Sequence, residues 1–318
     1  MHLERLNTLL QPECAVEMID ESSIKKETIP NIRNFQIWQY LSALWRADIV
    51  HIHSSILLFR LVHIALAAIV LRKKTIVTLH SMRSLQLFWL QKFLYRNCCS
   101  TIVVNKNYIN TLNLSNTVHM PAFLPPSIGG DAIPAPMLEW LDEKKRQGIK
   151  IAASNAFRLD DLDGVDLYGL DLAIELADKF KKDNDPAAII YVVSDIDKSA
   201  EKFHKFEREI KDKNLADHIL LTGGAINFPA LVKQSDLVLR LTCTDGDALT
   251  IREALWLGVN VLASDVVERP ENCNLFTNRD IDSLYQMTKK IIFQKDQINT
   301  TDGFDYKNWY LDLYKGQS

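Results

Sequence analysis

Glycine is absent from the first 128 residues of this 318-residue chain, because all eleven glycines lie at or after Gly129. Gly-rich loops cradle phosphates in dinucleotide-binding and P-loop proteins, and their tight turns need glycine. No such loop can be built in that part of the chain. A nicotinamide-dependent dehydrogenase and a kinase-like ATPase are therefore disfavoured.

Acidic residues are absent between Asp48 and Asp131, although the net charge of the whole chain is only -3. The basic residues of this acid-free stretch are Arg60, Arg72, Lys73, Lys74, Arg83, Lys92, Arg96 and Lys106. A positive stretch of this kind attracts anionic partners. Two interpretations stay open: a solvated surface with few acids, or a face for anionic lipid or a diphosphate. Nucleic acid is not an expected partner.

Cysteine patterns and membrane spans are also missing. The five cysteines are odd in number and none belongs to a CxxC pair. We therefore expect neither a disulfide framework nor a zinc site, and a reducing cytoplasm is the simplest setting. Glutamates interrupt the apolar runs before residue 20, so a signal peptide is not expected. The most hydrophobic stretch, 56–71, contains Arg60 and His63 and falls short of the roughly 20 residues of a membrane span. We predict a buried helix there.

What the chain has is an alternation of strand and helix patterns. Residues 48–53, 75–80 and 100–105 are short, β-branched and almost continuously hydrophobic, which is typical of parallel strands buried on both faces. Residues 121–136 hold five prolines and two glycines and predict an interdomain linker. A second series has strands at 150–153, 188–193, 218–221, 237–241 and 260–263, and helices at 170–181, 200–211, 229–234, 249–257 and 281–293. The alternation predicts an α/β fold with two Rossmann-like domains.

The segment 236–265, DLVLRLTCTDGDALTIREALWLGVNVLASD, carries the clearest chemistry. It predicts a strand, a loop around Gly246, a helix and a second strand. The first amides of that helix, on Ala248, Leu249 and Thr250, together with the helix dipole, suit a diphosphate. Glu253 lies farther along the helix, where its carboxylate can accept hydrogen bonds from two ribose hydroxyls. The plainer alternative is an ordinary βα turn with an aspartate as helix cap.

This segment resembles the family-4 retaining glycosyltransferases of the GT-B fold. Their signature is an acid, seven residues and then Glu, followed by Ala, a Gly and a buried strand; here it is met by Asp245, Glu253 and Gly258. The resemblance implies that Asp245 holds hydroxyls of the donor sugar and that Glu253 holds the ribose. It extends to ADIVHIHSS and TIVTLHS, whose His80 matches the family's active-site histidine beside the donor sugar. A strand histidine such as His51 is equally well explained as a packed core residue.

The resemblance also implies a domain plan and further donor contacts. An N-terminal acceptor-side domain, 1–122, is joined by the C-terminal tail 300–318, and a nucleotide-sugar-binding domain, 123–299, faces it across a cleft. NAFRLDD brings Arg158 to the donor diphosphate, where its fork can bind phosphate oxygens in pairs. Gly223 and Gly246 are counted with the donor-binding residues. Transfer with retention is expected, with a nucleoside-diphosphate sugar as substrate and with no metal or other cofactor.

Two departures from the family pattern matter. The lysine that usually follows the diphosphate arginine is missing, and Arg240 is our candidate to replace its charge. The chain also opens with MHLERLNTLL, which looks like the family's first helix. The first strand and its Gly-rich loop are therefore expected to be lacking. A truncated gene, an internal start or a degenerate enzyme would each explain this.

The sequence leaves three functions open. The first is a metal-independent glycosyltransferase of the hexosyltransferase type that acts on a glycan or a lipid-linked acceptor. The second is a catalytically impaired nucleotide-sugar-binding protein without the N-terminal acceptor loop. The third is a GT-B-like epimerase or phosphorylase, although no cofactor lysine for a phosphorylase can be placed.

The segment 83–96, RSLQLFWLQKFLYR, predicts an amphipathic helix inside the acid-free stretch. Leu87, Leu90 and Leu94 form its apolar face, with Trp89 and Phe93 beside them. This helix either covers the sheet or meets an anionic membrane. Many similar transferases extend lipid-linked sugars at the inner face of a bacterial membrane. We accordingly expect a cytoplasmic, peripheral membrane enzyme of surface-polysaccharide synthesis.

Overall fold

Two parallel sheets organise the chain, each inside its own unit. The computed structural model describes residues 2–11, 13–21, 29–34, 36–81, 87–126, 133–246, 248–293 and 304–316. The first unit comprises Met1–Leu124 with Asp305–Ser318, and the second is Pro125–Phe304. Within the described ranges, no helix combines the length and the apolar character needed to cross a bilayer.

The first unit is built on four parallel strands in the order β1-β2-β3-β4. They are β1 Ile49–Ile52, β2 Lys74–Leu79, β3 Ser100–Val103 and β4 Thr117–His119. Three correspond to the predicted strands 48–53, 75–80 and 100–105. β4 was not predicted, because its three residues are half-buried and form no hydrophobic run.

Helices of the first unit precede and connect these strands. They are α1 His2–Leu10, α2 Ile37–Arg46, α3 Leu57–Ile64, α4 Phe88–Arg96 and α5 Asn107–Leu112. A π-helical segment, Ala65–Val70, continues α3. The helix predicted at 56–71 is present as α3 and the π-helical segment, but the prediction that it is buried is wrong. Leu61 and Ile64 pack inward, but Leu58 and Val62 are exposed, because the helix meets the core with only one of its faces.

The C-terminal helix, Tyr306–Lys315, lies in the first unit and is tied to its sheet. The Tyr314 hydroxyl lies 2.7 Å from His51 Nδ1, and Lys74 Nζ donates to the Tyr314 carbonyl at 2.5 Å. The other ring nitrogen of His51 lies 2.8 Å from Thr78 Oγ1. His51 therefore bridges a strand and the C-terminal helix, which is the packing role that the sequence had left open.

The second unit contains a six-stranded parallel sheet in the order β12-β11-β10-β5-β8-β9, and a two-stranded hairpin formed by β6 and β7. The strands are β5 Lys150–Ala156, β6 Asp161–Leu162, β7 Val165–Asp166, β8 Ala187–Val193, β9 Ile219–Gly223, β10 Leu237–Arg240, β11 Asn260–Ser264 and β12 Asn274–Phe276. The helices are α6 Ala135–Arg146, α7 Leu170–Asp183, α8 Ala200–Asp212, α9 Phe228–Val232, α10 Leu249–Trp256 and α11 Ile281–Phe293.

The strand order places a topological switch between β5 and β10. From β5 the chain continues through α7 to β8 on one side, whereas β10 lies on the other side and is followed by β11 and β12. In open α/β sheets, ligands bind outside the carboxyl ends of the strands at such a switch. The loops after β5 and β10 are therefore where a site is expected.

The start of α7 is fixed against the end of β10. Gly169 has φ +73°, and a Cβ there would lie 2.5 Å from the Leu241 carbonyl oxygen, so only glycine fits. Asp166 caps the same turn by accepting from the amides of Tyr168 and Leu170 at 2.9 and 3.2 Å. Burial raises the pKa of Asp166 although these amides oppose it. This contact holds α7 beside the switch point.

Candidate active site

The first turn of α10 lies at the switch point. Thr250 Oγ1 is 3.4 Å from Asn155 Oδ1, at the end of β5, so the helix start faces the ends of both central strands. Ala248 precedes the helix, and no described side chain caps it. The amides of Ala248, Leu249 and Thr250 therefore present a partial positive charge that suits an anion. The neighbouring Asp247 lies outside the described residues.

Asp245, in the loop before α10, is held by two arginines. Its Oδ2 accepts from Arg240 Nε and Arg269 Nη1, both at 2.9 Å, and from Thr242 Oγ1 at 3.3 Å. Its Oδ1 accepts from Arg240 Nη2 at 3.1 Å and from the Gly246 amide at 2.9 Å. Both oxygens of Asp245 thus accept bonds within the chain, and its contact with the donor sugar stays a prediction.

The charge state of Asp245 follows from these contacts. Burial alone would raise its pKa, but the hydrogen bonds from Arg240, Arg269 and the Gly246 amide, together with the charge of Arg240, outweigh burial and hold the pKa below its usual range. The carboxylate is therefore ionised near neutral pH. It neutralises one of the two arginine charges, so the cluster of Asp245, Arg240 and Arg269 keeps one net positive charge.

Arg269 is the member of this cluster that the sequence did not reveal. It follows β11, and its side chain is only 2% exposed. Its Nε also donates to the Ser264 carbonyl at 3.2 Å. Nothing in the segment VVERP marks this arginine as buried. Only the fold, which places the loops after β10 and β11 side by side, brings it to Asp245.

Arg240 lies at the end of β10 and is the more accessible of the two arginines. Its side chain is 13% exposed, and its guanidinium lies 5.7 Å from the centre of the Tyr168 ring. Two nitrogens of its guanidinium donate hydrogen bonds to Asp245, in the loop that leads into α10. The candidate replacement for the missing lysine is thus placed at the switch point but bound to an acid.

Arg158 follows β5 and remains largely in solvent. Its Nε lies 2.5 Å from Asp160 Oδ2, and the two side chains are 48% and 37% exposed. A solvent-exposed pair of this kind contributes about 0–1 kcal/mol. An incoming anion can therefore recruit the Arg158 guanidinium with little loss of stability.

The remaining predicted donor residues differ in accessibility. Glu253 lies one turn after Thr250 in α10 and is 5% exposed. Gly246 donates its amide to Asp245. Gly223 ends β9, where a Cβ would lie 1.9 Å from the Ile196 side chain. Close packing on Ile196 therefore accounts for this glycine without any donor contact.

The histidines of the first unit come from neighbouring strand ends. His53 follows β1 and His80 follows β2, and Nδ1 of the former lies 3.3 Å from Nε2 of the latter. His80 keeps solvent contact, yet the surrounding protein removes enough water to lower its pKa. A neutral imidazole of this kind can donate or accept one hydrogen bond to a sugar hydroxyl.

We expect His80 to titrate below the usual histidine pKa of 6.5 in a proton NMR pH titration of the folded chain, with a histidine-containing model peptide as the reference. Because the folded-state pKa is lowered, the unfolded chain takes up the proton first as pH falls through 6.5. The desolvation of His80 therefore lowers the free energy of unfolding below pH 6.5 and leaves it unchanged above that pH. A pKa for His80 at or above that of the model peptide would contradict the desolvation.

Part of the second unit is similar to a known protein family. Residues 165–293 run from β7 to α11 and include the loop after β10 but not the start of the loop after β5. They match the model of the family described as Glycosyl transferases group 1. The match spans less than half of the chain and does not include the first unit. No curated protein matches the chain in sequence.

Solved structures extend the glycosyltransferase likeness to nearly the whole chain. Anabaena HepE in complex with UDP-glucose is 15% identical, with a TM-score of 0.55 over 98% of this chain and 86% of that chain. A glycosyltransferase from Rickettsia africae is also 15% identical, with a TM-score of 0.58 over 98% and 80%. Sucrose-phosphate synthase from Thermosynechococcus elongatus is 15% identical, with a TM-score of 0.51 over 96% and 78%. The predicted GT-B fold is thereby confirmed.

Proposed function

We propose that this chain is a retaining, metal-independent glycosyltransferase of the family-4 type that takes its sugar from a nucleoside-diphosphate donor. The observation that carries the proposal is the uncapped start of α10 at the switch point, next to Asn155 and two arginines. The match of residues 165–293 to a glycosyltransferase family supports it. The HepE structures, which hold UDP or UDP-glucose, support a donor of that class.

In this proposal the donor diphosphate lies on the amides of Ala248, Leu249 and Thr250. Arg158 moves from Asp160 to the phosphates, and the cluster of Asp245, Arg240 and Arg269 adds one positive charge. Negative charge develops on the diphosphate as the sugar leaves, and fixed positive groups stabilise it there. The Glu253 carboxylate accepts hydrogen bonds from the two ribose hydroxyls.

Asp245 acts as a positioning residue in this scheme, since its oxygens already hold the two arginines. His80 is proposed to hydrogen-bond the donor sugar. We also propose that the chain transfers a hexose to a glycan or a lipid-linked acceptor. The proposed place of this reaction is the cytoplasm at the inner membrane face, and the proposed pathway is surface-polysaccharide synthesis.

A catalytically impaired nucleotide-sugar-binding protein is the second candidate. One observation favours it: both carboxylate oxygens of Asp245, the residue expected to hold the donor sugar, already accept hydrogen bonds from the chain itself. Such a protein would keep the anion site of α10 and lose the contacts that orient the sugar.

Donor binding and donor turnover separate the two candidates. Isothermal titration with UDP, GDP and ADP sugars measures binding, and release of free nucleoside diphosphate measures transfer or hydrolysis. Arg158→Ala is expected to weaken binding and turnover, and Arg208→Ala, on the exposed face of α8, serves as the matched control. Binding without turnover identifies the binder. No binding to any of the sugars contradicts both candidates.

A further inference from the structure

Large apolar side chains face solvent on three helices of the first unit. Trp38 and Trp45 of α2 are 83% and 73% exposed, and Trp89 of α4 is 72% exposed. The other exposed apolar side chains of these helices are Ile37, Leu58, Val62, Ile69, Val70 and Phe93, counting the π-helical segment with α3. We call these nine side chains the apolar surface. Half of the tryptophans in the chain lie on it, although tryptophan ordinarily buries most of its area.

The three helices lie in one layer. Strands β1 to β3 pair in chain order, so right-handed crossovers place α3 and α4 on the same face of the sheet. The Tyr40 hydroxyl of α2 lies 2.6 Å from His63 Nδ1 of α3, and the Arg60 guanidinium of α3 lies 6.0 Å from the Tyr95 ring of α4. α3 is therefore in contact with both neighbours, and their outward faces are continuous.

Residue spacing keeps the exposed apolar side chains on the outward faces. Trp38 and Trp45 are seven residues apart, and Trp89 and Phe93 are four apart, so each pair shares one side of its helix. The inward sides are apolar as well, with Leu44, Leu61 and Leu94 buried. A helix that only covers a sheet is polar on its outer side. Packing of the core therefore does not account for the apolar surface.

Basic side chains lie beside the part of the apolar surface that α3 and α4 form, whereas Glu17 and Glu21 lie beside α2 and the α2-facing side of α3. Lys73 donates to the Trp45 carbonyl at 2.7 Å, and Arg72, Lys92 and Arg96 lie on or beside α3 and α4. The acid-free stretch spans both of these helices. On α2, the exposed Arg46 is paired with Glu17 at 2.9 Å.

We infer that the apolar surface docks on the headgroup region of an anionic lipid bilayer. Tryptophan combines an apolar ring with a polar N–H and is favoured at that depth, and basic side chains at the margin meet the lipid phosphates. A second protein molecule would also accept apolar side chains, but the one-sided positive charge specifies a negatively charged partner. The inference rests on the proposed function in one respect: docking on the bilayer gives the enzyme access to a lipid-linked acceptor.

Vesicle flotation tests the surface directly. The wild-type chain is expected to float with vesicles that contain phosphatidylglycerol and to stay at the bottom with pure phosphatidylcholine. Trp38→Ser/Trp45→Ser/Trp89→Ser should abolish flotation. Arg72→Gln/Lys92→Gln/Arg96→Gln should lower partitioning by roughly 100-fold, because each basic residue near an anionic surface is worth about fivefold.

Matched controls lie in the second unit. Phe157→Ser removes an aromatic side chain that is 61% exposed, and Lys205→Gln/Arg208→Gln/Lys211→Gln removes three exposed basic residues of α8. Both are expected to float like the wild type. Quenching of wild-type tryptophan fluorescence by brominated lipid gives a second readout that needs no variant.

Three outcomes would overturn the inference: no flotation with anionic vesicles, equal flotation with both vesicle types, or variants of the surface that float like the wild type. Sedimentation that shows the tryptophan variant to dissociate a dimer, without change in flotation, would assign the surface to a second copy instead. UDP binding by the same variants is measured in the absence of lipid. Retained UDP binding with lost flotation separates this inference from the proposed donor site.

Discussion

Asp245→Asn is expected to lower the free energy of unfolding by about 3–5 kcal/mol, because it leaves the buried guanidinium of Arg269 without its counter-charge. Asparagine preserves the shape of the side chain and turns one accepting oxygen into a donor that faces Arg240 or Arg269. Urea unfolding of the variant against the wild type measures the loss. Asp160→Asn breaks the exposed pair with Arg158 and, as the control, should change stability by about 0–1 kcal/mol.

A double-mutant cycle shows whether the loss comes from the unpaired charge. Arg269→Met removes the guanidinium and fills part of its volume with an apolar chain. If the two charges compensate each other, the double variant should lose less stability than the two single variants together, by at least about 1 kcal/mol. Strictly additive losses would show that Asp245 and Arg269 do not stabilise each other.

Glu253→Gln is expected to weaken UDP binding by about 2–3 kcal/mol, because two charge-assisted hydrogen bonds between the ribose hydroxyls and the carboxylate become weaker hydrogen bonds to a neutral amide. Glutamine keeps the volume of this buried side chain, so the helix α10 should remain intact. Isothermal titration with UDP measures the effect, and circular dichroism checks the fold.

Glu143→Gln, on the exposed part of α6, is the matched control for the removal of one carboxylate from the second unit. Its affinity for UDP should equal that of the wild type. A Glu253→Gln variant that binds UDP as tightly as this control would remove Glu253 from the donor site, which would then consist of the helix start and the arginines.

The central strands were predictable from sequence because they are buried on both faces. β8 consists entirely of apolar residues, and β5, β10 and β11 each contain an unbroken run of three, so these hydrophobic runs indicate strands without any knowledge of the sheet. The edge strand β12 has one exposed and one half-buried residue and gives no such run. α6 begins inside the predicted linker 121–136, since proline at its first turn suits a helix start as well as a loop.

The candidate site was only partly predictable, for a related reason. Periodicity and capping patterns act over a few residues, and they correctly located the helix α10 next to Gly246. The bond from Arg269 to Asp245 joins residues 24 positions apart on two different loops. Composition was misleading for α3 in another way, because apolar residues on its outer side are counted as core until the sheet shows which side faces inward.

The bond network around Tyr314 has a consequence for synthesis of the chain. Residues 305–318 belong to the first unit, although all of the second unit, 125–304, is translated before them. A ribosome that has reached residue 304 has produced every strand of both sheets, but His51 and Lys74 still lack their contacts with Tyr314. The first unit cannot make these contacts until its last residues have been synthesised. The unit whose synthesis begins first is therefore the last to receive all of its residues.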